Sequence, residues 1–122
     1  MHGRYPILRE CAMRCHVLMA LAFYGPRPLD PTSGVDNLGV KPCVCHHLIP
    51  DPLDYRPDNL LCWLTREQHY EADRRQRELK KILPDMHELS YDEHRRLQDP
   101  RVTSNGQFIV ELVEIRKRYV LQ

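Results

Sequence analysis

The chain lacks any apolar run approaching the roughly 20 residues that a membrane-spanning helix requires; its longest such stretch, Cys15 to Tyr24, is ten residues. No membrane association is expected. No signal peptide is expected, because Arg4, Arg9, Glu10 and Arg14 interrupt the segment where an apolar core would have to lie, and a cytoplasmic location is expected. Net charge is nearly absent, with 18 Lys and Arg against 17 Asp and Glu. Nor is there an internal repeat, a low-complexity stretch or an interdomain linker. At 122 residues the chain suits one core, so residues 1–122 are read as a single small domain.

The charge is unevenly distributed. Residues 1–61 carry six basic and six acidic side chains, and residues 62–122 carry twelve and eleven. Such a dense mixture of signs normally marks solvated helices laced with i,i+4 ion pairs. Five cysteines and seven histidines are the loud feature of the composition. An odd number of cysteines argues against a secreted disulfide framework, which leaves reduced thiols, some of them candidate ligands.

Between Tyr5 and Phe23 the apolar residues Leu8, Cys11, Ala12, Cys15, Leu18, Met19 and Ala22 recur at three and four, which predicts a helix ended by Gly25 and Pro26. Residues 1–42 are thus an N-terminal helix and a Pro-rich loop. Cys43 to Ile49 reads as one strand of a small hairpin. Thr65 followed by Gln68 resembles a capping box for a long helix over Thr65 to Ile82, stopped by Pro84. Residues 76–122 are read as C-terminal helices. One runs from near Ser90 to near Asp99, and a last one follows a cap at Ser104 to Gln107 and shows Phe108, Leu112, Ile115 and Tyr119 on one face. Trp63, between Leu61 and Leu64, reads as core, and His2, His87 and His94 read as exposed.

Most metal-capable residues fall between Cys43 and Asp73. Adjacent histidines on a strand point to opposite faces, so His46 and His47 cannot serve one site in the same way. His69 and Asp73, spaced i,i+4, share a helix face, the usual means of presenting two ligands to one ion. The ordered set His46-His47-Leu48-Ile49-Pro50, Asp58-Asn59-Leu60 and His69 resembles the HNH nucleases, the group built on a ββα-metal finger. The resemblance covers about residues 43–75. It implies an α-rich α+β fold in which a finger, a short β-hairpin plus a helix, packs among additional helices. It further implies His46 and His69 as ligands of a divalent ion (Zn²⁺, Mn²⁺, Ni²⁺ or Mg²⁺), Asp73 as a further ligand where many members have a histidine, and His47 as general base. Asn59 would hold the finger loop and orient His47. The implied function is a metal-dependent endonuclease acting on DNA with little sequence specificity, of a kind often found in phage and mobile-element genomes.

The chain departs from the family where many members carry paired C-x-x-C knuckles, since Thr65 stands where the partner of Cys62 would be. A structural zinc site could still draw on Cys11, Cys15, Cys43, Cys45 and Cys62, although Cys11 and Cys15 also fit as buried small residues. A closed zinc site of His46, His47 and His69 with Cys43 or Cys45 is a competing reading. It leads to an inactive, zinc-stabilised finger acting as an adaptor for a protein partner such as a nucleic-acid enzyme. Arg56, Arg66, Arg74 and Arg77 are candidate phosphate contacts, against the plainer reading of the basic run Arg74 to Lys81 as a solvated helix face.

Overall fold

The computed structural model describes residues 7–8, 13–33 and 39–119. In chain order it contains β1 (Ile7–Leu8), β2 (Met13–Arg14), α1 (Cys15–Tyr24), β3 (Val44–His47), β4 (Leu60–Leu64), α2 (Arg66–Ile82), α3 (Tyr91–Gln98) and α4 (Asn105–Tyr119), with 3₁₀ turns at Pro57–Asn59 and Met86–Glu88. The fold is mixed α+β and rich in helix. No helix among the described residues is long and apolar enough to cross a membrane.

Local chemistry places most of these boundaries. Thr65 accepts a hydrogen bond from the Gln68 backbone N–H at 3.1 Å, and the Gln68 side chain accepts one from the Thr65 N–H at 3.0 Å, so the capping box opens α2 as expected. Ser90 caps α3 through the Glu93 N–H, and Ser104 accepts from the Gln107 N–H at the start of α4. At the end of α1, Gly25 adopts φ 84°, a conformation open to glycine at little cost. The predicted start of α1 is corrected. Ile7 pairs with Arg14 and Leu8 with Met13 in an antiparallel ribbon, and the helix begins only at Cys15. The helix does not reach back past Cys15, because the backbone of residues 13–14 is hydrogen-bonded to residues 7–8 across the strands. Cys11 itself lies outside the described residues, as does His2.

β3 and β4 form an antiparallel hairpin that feeds directly into α2. Val44 pairs with Leu64 but His46 with Leu61, so a bulge places Cys62 and Trp63 opposite Cys45. One core cluster, Leu48, Leu61, Leu64 and Ala72, lies between hairpin and α2. A larger one, with Ile49, Leu79, Leu83, Met86, Leu89, Leu97, Phe108 and Ile115, joins α2 to α3 and α4. Arg75 is buried at the seam. Its Nη1 donates to the carbonyls of Leu97 and Thr103 at 3.0 and 2.8 Å, its Nε donates to Glu71 at 2.8 Å, and its guanidinium lies over Phe108. It is therefore a structural strut and no part of a solvated basic face. Trp63 is half-buried beside the Arg27 guanidinium, so it caps the hairpin's edge and does not belong to the core.

The long loop before β3 is tied to the same place. Buried Asp30 accepts from the backbone N–H and hydroxyl of Thr32 with one oxygen, and from the Arg66 backbone N–H with the other at 2.8 Å. A carboxylate at the first turn of α2 also suits the positive end of the helix dipole.

Candidate metal centre

His46, His69 and Asp73 converge. Their ligand-capable atoms all lie within 4.8 Å of one another. His46 Nδ1 is 3.5 Å from Asp73 Oδ1, His69 Nε2 is 3.9 Å from the same oxygen, and the two imidazole centroids are 5.4 Å apart. β3 supplies the first ligand and the second and third turns of α2 the others, so the capping box at Thr65 sets the helical register that presents them. His46 is buried, whereas His69 and Asp73 are partly open to solvent. The cluster thus has a wall and a mouth.

The tautomer of His46 follows from its surroundings. Gln98 points one end of its amide at the Leu48 carbonyl, at 3.0 Å, and the other at His46 Nε2, at 2.6 Å. A carbonyl can only accept, so the end facing Leu48 is the amide nitrogen and the end facing His46 is the oxygen. His46 must therefore carry its proton on Nε2. The same Gln98 nitrogen donates to His94 Nδ1 at 3.0 Å, and His94 Nε2 lies 2.6 Å from the Met86 carbonyl, to which it donates. The row runs from His46 through Gln98 and His94 to the Met86 carbonyl, and the Leu48 carbonyl takes the other Gln98 N–H. Nδ1 of His46 is left facing Asp73. A lone pair set against a carboxylate is unfavourable unless a proton or a cation lies between them, so the cluster is built for positive charge.

Electrostatics agree. Asp73 is held below the ordinary carboxylate range, first by its interaction with His46, with burial opposing, and then more weakly by His69. His69 is pushed down mainly by burial, with Asp73 opposing. The His69 imidazole therefore stays unprotonated at neutral pH, as ligation requires.

His47 occupies the other face of β3, as strand alternation demands. Its ring is 4.9 Å from that of His16 on α1. Burial and the neighbouring His46 depress its basicity, and burial lowers His16 to about 4. The backbone here is gripped from α2, where the Gln76 amide donates to the carbonyls of His47 and Leu48 at 2.6 and 2.9 Å. Asn59 is fully buried. Its oxygen accepts from the Ile49 N–H at 2.8 Å, and its amide donates to the Ile49 and Asp54 carbonyls at 3.1 and 2.9 Å. It pins the loop between β3 and β4. The Asn59 carbonyl also accepts from the Leu48 N–H at 2.9 Å, one residue after His47.

The cysteines do not join this centre. Among the described residues no thiol enters a group of three or more ligands, so neither the four-thiolate site nor the closed His46, His47, His69 and cysteine site is assembled there. The physical reason is alternation, which places Cys45 and His47 on the face of β3 opposite His46. Cys43 is buried with its carbonyl accepting from Arg27 Nε, and Cys15 stands at the start of α1.

The four arginines separate into two pairs. Arg56 is paired with Asp54 at 2.9 Å and hydrogen-bonded to Tyr91, and Arg74 is paired with Glu71 and donates to Asn105. Arg66 and Arg77 are exposed and share the face of α2 that carries His69 and Asp73, since positions 66, 69, 73 and 77 recur at three and four.

Three residues essential to the arrangement escape a reading of the sequence. Gln76 and Gln98 look like solvated helix residues, and His94 was expected to be exposed but is fully buried. For His94 a signal existed, since it shares one face of α3 with Leu97 and Gln98 at i,i+3 and i,i+4. No protein-family model, curated protein or solved structure matches the chain.

Proposed function

We propose that the chain is an HNH-type, metal-dependent endonuclease that hydrolyses DNA phosphodiester bonds with little sequence specificity and acts in the cytoplasm. The observation that carries this reading is the convergence of His46, His69 and Asp73 beside a second histidine, His47, on the next residue of the same strand. The order β3, β4, α2 with the ligands on the first strand and the helix supports a ββα-metal finger over residues 43–75.

His46 Nδ1, a His69 nitrogen and an Asp73 oxygen would hold a divalent ion. Two imidazoles and one carboxylate suit Zn²⁺, Ni²⁺ or Mn²⁺ better than Mg²⁺, which prefers an oxygen cage. When bound, the ion supplies Lewis-acid stabilisation of charge on the phosphate and the leaving oxygen. His47, unprotonated at neutral pH, accepts the proton of the attacking water. Arg66 and Arg77 flank the ligand pair on the open face of α2 and are placed to contact neighbouring phosphates, and exposed Tyr70 on the same face offers a stacking surface. Arg56 and Arg74, held by Asp54 and Glu71, contribute less to binding than Arg66 and Arg77.

The test is nicking of supercoiled plasmid by the purified chain with Mn²⁺, Ni²⁺, Zn²⁺ or Mg²⁺ added in turn. Nicking that a chelator abolishes is the expected result. A chain that binds metal yet cuts under none of these conditions sinks the nuclease reading and favours a zinc-stabilised adaptor for a protein partner.

The row behind His46 gives a second expectation. Gln98→Leu removes the acceptor that keeps His46 protonated on Nε2, so Mn²⁺ affinity measured by titration calorimetry falls by about 10- to 100-fold. Gln98→Glu retains an acceptor at that place and keeps more of the affinity. Equal affinity in wild type and Gln98→Leu would show that the tautomer is not set there.

A further inference from the structure

We propose that Cys45 and Cys62 are a redox modification site, a dithiol that closes to a cross-strand disulfide when it meets a small disulfide such as oxidised glutathione. The inference does not depend on the nuclease reading. Their Sγ atoms are 3.1 Å apart, already in thiol hydrogen-bond contact. A disulfide needs about 2.05 Å, so closure requires the sulfurs to approach by about 1 Å, a movement within reach of side-chain rotation. The bulge that shifts the register between Val44 and His46 is what sets Cys62 against Cys45. Both thiols are half-buried, so a small reagent reaches them where a protein surface would not.

Competing fates of the pair have less support. Cys45 and Cys62 enter no group of three ligand side chains among the described residues, so the geometry offers a metal only two donors. Cys43, just before β3, is buried, and its carbonyl accepts from Arg27 Nε.

The chemistry balances without a cofactor. One thiol, as thiolate, attacks a sulfur of oxidised glutathione; that S–S bond breaks, a mixed disulfide forms and the first glutathione thiol leaves with the proton. The second protein sulfur then attacks the mixed disulfide and displaces the second glutathione thiol. Two protein thiols are oxidised and one glutathione disulfide is reduced to two thiols. The closed loop spans residues 45–62, which includes His46, His47 and Asn59, so the modification would cross-link β3, which carries both histidines, to β4.

The experiment exposes the full-length chain to oxidised glutathione, once with a chelator and once with saturating Zn²⁺, then alkylates remaining thiols under denaturing conditions and maps peptides. Trypsin is unsuited, because Arg27, Lys41 and Arg56 each precede proline. Cleavage before aspartate separates peptide 36–50, with Cys43 and Cys45, from peptide 58–72, with Cys62. The expected result is a reducible link between these two peptides that persists in Cys43→Ser and is lost in Cys45→Ser, while Cys62→Ser accumulates the glutathione adduct on Cys45. The proposal is overturned if both thiols are alkylated after oxidation, if the link survives in Cys45→Ser, or if wild type retains an unresolved glutathione adduct. Protection of both thiols by Zn²⁺ alone, with no link formed under chelator, would likewise overturn it and assign the pair to a metal.

Discussion

Replacing His47 by alanine lowers plasmid nicking by about 10³-fold, the usual magnitude for loss of a positioned general base, and leaves Mn²⁺ affinity unchanged. The separation of the two effects follows from strand geometry. His46 and His47 are neighbours in sequence but face opposite sides of β3, one toward α2 and the other toward His16 on α1. Removing the His47 ring therefore takes away none of the three atoms that converge at His46, His69 and Asp73. His46→Ala and His69→Ala give the opposite signature, with metal binding and nicking lost together. The pH profile carries a further sign. Because burial holds His47 below its ordinary value, the group is already unprotonated at neutral pH. Wild-type activity should consequently rise with pH on the acid side of 6.5 and level off above it. If His47→Ala nicks as fast as wild type, His47 is not the base. If it loses metal as well, the face assignment fails.

Asn59→Ala destabilises the fold by about 3 kcal/mol, a large share of what a domain of this size has to lose. The side chain is fully buried and satisfies the Ile49 N–H, the Ile49 carbonyl and the Asp54 carbonyl, all in the segment that connects β3 to β4. Alanine leaves these three backbone groups without partners in a site closed to water. Urea unfolding measures the change as a lower midpoint at constant slope. Asn59→Asp separates the contributions, since it keeps the acceptor for Ile49 N–H and loses both donors. A loss below about 1 kcal/mol in Asn59→Ala would mean that water or a shifted loop replaces the amide and that Asn59 does not pin the hairpin.

Legibility in the sequence varied with the range over which each interaction acts. The capping box at Thr65 and Gln68, the cap at Ser90, the stop before Pro84 and the i,i+4 pairing of His69 with Asp73 depend on residues within one or two turns, and each is found where the local chemistry places it. The start of α1 is different. Residues 7–14 offer an apolar spacing that suits a helix, yet Ile7 and Leu8 pair with Arg14 and Met13, a choice made by the partner strand and invisible to spacing alone. Arg75 shows the same limit on charge. Within a run of basic residues it looks solvated, and the carbonyls of Leu97 and Thr103, 22 and 28 positions away, together with Glu71 and the Phe108 ring make its burial favourable.

By itself, then, the sequence determined which residues can ligate and which helix face shows His69 and Asp73, because helical period and side-chain chemistry are local properties. Tertiary structure decided the rest of the centre. It brought His46 from β3 to that face, supplied Gln98 from α3 to select its tautomer, set His94 and the Met86 carbonyl behind it, and left Cys45 on the other face of the strand. The reason is that a buried polar atom must find its partner wherever in the chain that partner comes from, and a glutamine 52 residues from the histidine it orients carries no mark of that duty in its own neighbourhood.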